Sequence, residues 1–274
     1  MKTILLHVQD EASLQAPLQT ARSTARAFNA HLSCLQVTPI EAYVAFDSFG
    51  GLFVMSDVLA AIDQRESELK ERFEAALSNE DVSWDYAHVT GHVANAVISH
   101  AALADVIVSG RASSDDRKSH QAGLALLGDL LHRSRTPLLI PAEDGRSYDP
   151  FGPALVAWDG SYEAANAVRA SLSLLRQVSD VRVVTVDEQE DKPDAFPSTR
   201  LLEYLSRHGI HAELRCAAMQ RDMVAPALLQ EAQEFGAATI VLGSYSHSRI
   251  GEYLFGGVTR TLLSSSPVAL LTTH

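Results

Sequence analysis

The chain has 274 residues, room for one large domain or two ordinary ones, and 46% apolar against 20% charged residues excludes a disordered chain. A formal charge of −12 argues against sequence-general binding to DNA or to an anionic membrane surface, because that affinity comes from cations displacing counterions. No apolar run approaches the ~20 residues that span a bilayer, and the Ile4 to Val8 run is too short for a signal-peptide core, so a cytoplasmic protein is expected.

The first apolar run, Thr3 to Val8, ends at Gln9-Asp10 and reads as a strand. Leu14, Leu18, Ala21, Ala25 and Phe28 then share one face of a helix, and Leu32 to Val37 is a second strand. The segment 39–56 gathers Tyr43, Phe46, Phe49, Phe53 and Met55 around Gly50-Gly51. It is either a lid or partner-binding segment, or a cover packed over its own domain or the other one. Further helices are expected at Ala61–Leu77, Ala94–Leu103 and Leu124–Arg133, with strands at Trp84–Val89, Val106–Ser109 and Leu138–Ile140. The charged residues Glu66 to Glu74 read as a solvated helix face.

After a stretch rich in Pro, Gly and charge (Pro141 to Pro153), the same series repeats. Its strands are Ala154–Asp159, Val181–Val186, His211–Cys216, Thr239–Leu242 and Val268–Leu271. Its helices are Tyr162–Leu175, Ser198–His208, Met223–Phe235 and Tyr253–Leu263. Asp10 and Asp159 are 149 positions apart, whereas Gly110 and Gly243 are 133 apart, which places about 16 extra residues of the first unit in 39–56. Strands alternating with amphipathic helices imply parallel sheets covered on both faces. The expected architecture is α/β: two tandem doubly wound domains, each a mostly parallel five-stranded sheet with helices on both faces, over 1–143 and 152–274. Cys34 and Cys216 each sit in an apolar run and are expected to be buried thiols.

The second unit holds the most informative loop, Gly243 to Thr259. Gly243 ends a strand where the chain turns at the carboxyl edge of the sheet, and Gly256-Gly257 stand at or near the start of the last helix. Unpaired N–H groups and the partial positive charge of a helix start make an anion site. Ser244, Ser246, Ser248 and Thr259 add hydroxyls, and Arg249 and Arg260 add balancing charge. From these residues alone, a phosphate cradle and an ordinary glycine-rich turn both stand. No GxSxG elbow, HExxH helix, P-loop GKS/T or Rossmann GxGxxG accompanies them, so no catalytic residue is assigned.

This loop, with Asp159-Gly160-Ser161 after the unit's first strand, resembles the universal stress protein family. Its nucleotide-binding members carry GxxG, nine residues, then G followed by Ser or Thr. Gly243 and Gly256 fall on the first and third glycines, while Ser246 replaces the second and Gly257 replaces the Ser/Thr. The latter change removes one hydroxyl donor, a contact worth about 1 kcal/mol. The resemblance covers the whole chain as two successive domains. It implies a stress-response regulatory protein that binds ATP or AMP, with or without Mg, through its second domain, with hydrolysis slow at most.

By the same resemblance the nucleotide site comprises Asp159, Val186, Gly243, Ser244, Ser246, Arg249, Gly256, Gly257, Val258 and Thr259, with the backbone of Val186 holding adenine. Asp159 has an equally good reading as a cap on the helix beginning near Tyr162. In the first unit Asp10 and Val37 match the aspartate and valine, but the glycine loop degenerates after Gly110. Gly128 fits the helix start better than Gly123, leaving a shallow pocket without a phosphate site. The alternatives to a nucleotide switch are a nucleotide-free scaffold that engages a protein partner or an apolar ligand through 39–56, and a weak ATP hydrolase using the same glycine loop. Two like-shaped domains imply a pseudo-dimer within one chain and leave a homodimer open.

Overall fold

The computed structural model describes residues 1–9, 11–40, 45–46, 52–53, 56–78, 80–111, 117–187, 195–219, 223–244 and 257–274; within these, the side chains of 11–13, 45–46, 52–53, 56–59, 117–119 and 187 are not described. In chain order the first half runs β1 (Thr3–Val8), α1 (Glu11–Phe28), β2 (His31–Pro39), β3 (Ala45–Phe46), β4 (Leu52–Phe53), α2 (Ser56–Leu77), β5 (Trp84–Gly91), α3 (Val93–His100), β6 (Val106–Val108), α4 (Arg117–Arg133) and β7 (Leu138–Ile140). The second half follows as β8 (Ala154–Ala157), α5 (Tyr162–Leu175), β9 (Val181–Asp187), α6 (Ser198–Arg207), β10 (Ala212–Ala218), α7 (Val224–Phe235), β11 (Thr239–Gly243), α8 (Gly257–Ser265) and β12 (Ala269–Thr273).

One ten-stranded sheet carries both halves, in the order β10-β9-β8-β11-β12-β7-β6-β1-β2-β5. Each half contributes the same five-strand series read outward from the centre. Pairing is parallel within each half, and the halves meet where β12 runs antiparallel to β7, Leu271 opposite Leu139. The expected α/β architecture is therefore present, with the two five-stranded sheets joined edge to edge. Such a join removes one exposed edge from each sheet. The residues 45–46 and 52–53, inside the aromatic segment, pair as a separate antiparallel ladder; Tyr43, Phe49, Gly50, Gly51 and Met55 lie outside the described residues.

Alternation along the strands sends side chains to two cores. Ile4, Leu6 and Val8 face α1, α2, α5 and α6 with Leu18, Phe73, Val168 and Leu205. On the other face Leu5, Leu155 and Leu270 meet Val97, Leu130, Leu228 and Leu262 from α3, α4, α7 and α8. Cys34 belongs to the first core, and burial raises its thiol pKa well above the ordinary value. Cys216 does not share that fate: it is exposed, because β10 is an edge strand with most of its side chains in solvent.

The connecting stretch is more tightly held than its composition suggests. Tyr148 is buried, its N–H donating to Gln19 Oε1 in α1 at 3.0 Å and its hydroxyl accepting from Thr239 Oγ1 in β11 at 3.2 Å. Glu143 N–H donates to Ser266 O at 2.9 Å. Arg111, beside Gly110, reaches across the join: its guanidinium donates to the carbonyls of Leu263 and Pro141, and to Leu262 O at 3.4 Å. Leu262 O also accepts from Ser266 N at 3.0 Å, while Leu263 O lies in the last turn of α8, so Arg111 caps the end of the second half's last helix from the first half.

Candidate functional site

In the second half, β8 enters the sheet first, β9 and β10 add on one side, and the chain then crosses to β11 on the other. Strand order reverses at β8, and in open α/β sheets ligands bind outside the carboxyl ends of the strands at such a reversal. Asp159 lies just past β8, Val186 near the end of β9, Gly243 at the end of β11, and Gly257, Val258 and Thr259 in the first turn of α8. The fold thus brings these candidate positions to the carboxyl edge. Ser246, Arg249 and Gly256 lie outside the described residues.

Asp159 serves the start of α5. Its Oδ1 accepts from Ser161 N at 3.0 Å and Ser161 Oγ at 2.5 Å, while Ser161 Oγ in turn accepts from Ala164 N at 3.1 Å. Ser161 is therefore the N-cap and Asp159 its orienting partner, which leaves Oδ2 without a partner among the described residues. The turn between them needs Gly160: its φ is +76°, and a Cβ there would lie 2.7 Å from Ala195 Cβ. Phe196 closes over this turn, donating to Gly160 O at 2.8 Å and accepting from Trp158 Nε1 at 3.0 Å.

Val186 points its backbone into open sheet edge. Trp158 N donates to Val184 O and Ala154 N to Asp180 O, both at 2.9 Å, so the even-numbered residues of β9 turn their backbone groups toward β8. Since β8 ends at Ala157, opposite Val184, the N–H and C=O of Val186 face the space beyond it.

Gly243 and Ser244 have structural duties. A Cβ on Gly243 would sit 2.4 Å from Ala164 N and 2.4 Å from Glu163 C, so glycine is required for β11 to approach the first turn of α5. Ser244 is fully buried, and its N–H and hydroxyl both donate to Thr273 O, at 3.0 and 3.1 Å. Its hydroxyl hydrogen is thus occupied within the protein. Thr259 is buried at 7% exposure. Gly257, by contrast, is exposed and is the first described residue of α8, with no atom of another described element within 4 Å of where a Cβ would stand.

The first half diverges at the matching place. Ser134 Oγ accepts from Thr136 N as Ser266 Oγ accepts from Val268 N, which equates Ser134 with Ser266 and puts Ala125 where α8 has Gly257. Ala125 is in the interior of α4, which begins at Arg117, seven residues before the expected Leu124. Gly128, expected near a helix start, is eleven residues into that helix. Interior N–H groups are bonded to the preceding turn, so no phosphate cradle exists there.

Instead the carboxyl edge of β1 and β2 carries a cavity of about 710 Å³, between α2 on one side and α3 and α4 on the other. Sequence reasoning placed only a shallow pocket here and read Glu66 as solvated. Glu66 in fact borders the cavity, accepts from Thr38 Oγ1 and stands 3.3 Å from His88 Nε2. The available signal was spacing, since His88 lies directly across β2–β5 from Gln36, next to Thr38.

His7 forms part of the cavity floor, with Nδ1 3.2 Å from Ser109 Oγ. Burial lowers its pKa from 6.5 to about 4, so it is neutral at pH 7. The unfolded chain takes up this proton first as pH falls. Stability from a neutral His7 is whole above pH 6.5 and is lost as pH falls toward 4, by on the order of 3 kcal/mol. Urea denaturation of the protein and of His7→Asn should therefore show a smaller loss between pH 7 and 4.5 in the variant; equal losses would place the titration elsewhere.

Residues 150–274 match the family described as the Universal stress protein family. No curated protein matches the sequence. Among solved structures, the chain is similar to a universal stress protein from Archaeoglobus fulgidus, at 17% identity and a TM-score of 0.73 over 99% of this chain and 95% of that one. It is also similar to a functionally unknown protein from Pseudomonas aeruginosa (15% identity, TM-score 0.60, 100% of this chain and 92% of that one). A universal stress protein described as putative, also from Pseudomonas aeruginosa, gives 15% identity and a TM-score of 0.58, with 100% and 93% covered. At these identities the likeness establishes the fold, which extends over both halves. Among the described residues no helix is long and apolar enough to cross a membrane.

Proposed function

We propose that the chain is a stress-response regulatory protein whose second half binds ATP or AMP at the carboxyl edge of its sheet. The family match over residues 150–274 supports a stress-response role. The observation that carries the nucleotide reading is Gly257, the first described residue of α8, which no other described residue crowds, at the edge where strand order reverses. Phosphate oxygens would be met there by the first N–H groups of α8, adenine by the backbone of Val186, and ribose hydroxyls by Asp159 Oδ2. No lysine occurs after Lys192 in the sequence, and efficient phosphoryl transfer wants one at the phosphates. The nucleotide therefore acts as a regulatory ligand, and a binding partner that reads its presence completes the proposed role.

Gly257→Asp tests this reading without disturbing the fold. The new side chain meets no neighbour among the described residues, and an acidic residue at a helix start favours the helix. It would, however, place a negative charge against the phosphates. Calorimetric titration should show ATP affinity reduced about tenfold or more, with the melting temperature unchanged or raised. Undiminished affinity in Gly257→Asp would remove α8 from the site.

A further inference from the structure

The cavity of the first half is independent of that reading, and its chemistry differs from that of a nucleotide site. From its composition we infer that it binds a compact aromatic amine, neutral or cationic, with an N–H donor and no phosphate or carboxylate. At about 710 Å³ it falls within the size range of small-molecule sites. Its walls are predominantly apolar, built by Val8, Val37, Ile62, Leu69, Val93 and Leu126 from five different elements.

Its charges disfavour an anion. Among the described lining residues Glu66 and Asp129 stand against one guanidinium, Arg65, with two imidazoles, a neutral His7 and His92. α4 passes the cradle position as continuous helix, and the one described helix start on the cavity, α3 at His92, Val93 and Ala94, shares it with the two carboxylates, which oppose an anion there.

Most of its polar groups are already paired. Thr38 is tied to Glu66 and to His88 Nε2 at 2.9 Å, the Gln36 carbonyl accepts from Tyr86 OH, and His7 stands beside Ser109. Gln9 also borders the cavity, and its buried Oε1 has no hydrogen-bond partner among the described residues. A buried acceptor left unpaired is unfavourable, and a rotation of this amide lets it accept from a ligand N–H. An apolar ring system with one N–H satisfies the walls, the charge balance and this oxygen together.

Two fluorescent probes with one shared ring system test the inference: N-phenyl-1-naphthylamine, which is neutral with an N–H, and its sulfonate relative 1-anilinonaphthalene-8-sulfonate. The full chain should bind the amine saturably, one per chain, and the sulfonate about tenfold more weakly or worse. Ala122→Trp, at an exposed position on the cavity rim, should weaken the amine about tenfold with an unchanged melting curve. Ile62→Trp, from the opposite wall, should do the same and serves if the first variant is unstable. Asp129→Asn should raise the sulfonate affinity about threefold or more.

Saturating ATP should leave the amine bound, and Gly257→Asp should not alter its affinity, so the two sites fail or stand separately. Absence of saturable amine binding, equal affinity for both probes, displacement by ATP, or indifference to both tryptophan variants would each overturn the inference.

Discussion

Gly243→Val should lose about 3 kcal/mol of stability or more, seen as a large fall in the urea midpoint. The Cβ alone accounts for most of this, since it would stand 2.4 Å from Ala164 N and Glu163 C. Both atoms are backbone, in a helix turn fixed by the Ser161 cap and the Asp159 carboxylate behind it, so neither can yield locally. Either β11 must withdraw from the sheet centre, where it pairs with both β8 and β12, or the start of α5 must be displaced. Gly243→Ala should therefore fall nearly as far as the valine variant. A midpoint within about 0.5 kcal/mol of the parent for Gly243→Ala would contradict the packing argument. The residue at the first glycine of the motif thus has a structural reason to be glycine whether or not a ligand is bound. Loss of nucleotide binding in Gly243→Val would consequently report disruption of the fold.

The second large effect is expected at Arg111. Burial pushes its guanidinium down to about 10, against the opposing pull of Glu143 and Asp144, so it remains charged at neutral pH. Arg111→Met keeps much of the volume but removes the donors to the Leu262, Leu263 and Pro141 carbonyls and the positive charge facing Glu143, while Asp144 keeps its ion pair with Arg146. Hydrogen bonds from a charged donor contribute about 1.5–3 kcal/mol, and the total loss should be about 2–4 kcal/mol. The loss should be concentrated at the join between halves: amide exchange in α8 and β12 should accelerate more than in β2 or α1. Arg111→Lys should recover only part, because a single ammonium cannot reproduce the fork. Uniform acceleration across both halves, or none, would show that Arg111 does not couple them.

Much of the fold was legible because the cores are built from periodic residues. Leu14, Leu18, Ala21, Ala25 and Phe28 are buried along α1 as their spacing required, and Val181 to Val186 is a strand flanked by parallel neighbours. What was not legible depended on contacts between distant positions. Cys216 reads as core in its own strand and is exposed because β10 is the edge strand among the described residues, with most of its side chains in solvent. The early start of α4 was hidden because Arg117 to Gln121 is polar and shows no apolar stripe, although those residues continue the helix. Similarly, the charged sequence around Glu66 conceals one residue that folds inward to Thr38. At the candidate site, Asp159 read as a cap on the helix near Tyr162, whereas Ser161 is the N-cap and Asp159 orients it, a division of labour that spacing alone does not reveal. Gly243 was legible as a special position, but the cause, backbone contact with α5, lies 79 residues away in sequence and leaves no local mark.

The most direct test of the central claim is a titration of ATP into the purified, ligand-freed chain, followed by amide NMR. The account predicts one ATP per chain, with shifts at Gly160, Val186, Gly257 and Val258 and none at Val37, Val93 or Leu126. Failure to saturate at millimolar ATP, or shifts confined to the first-half cavity, would contradict it.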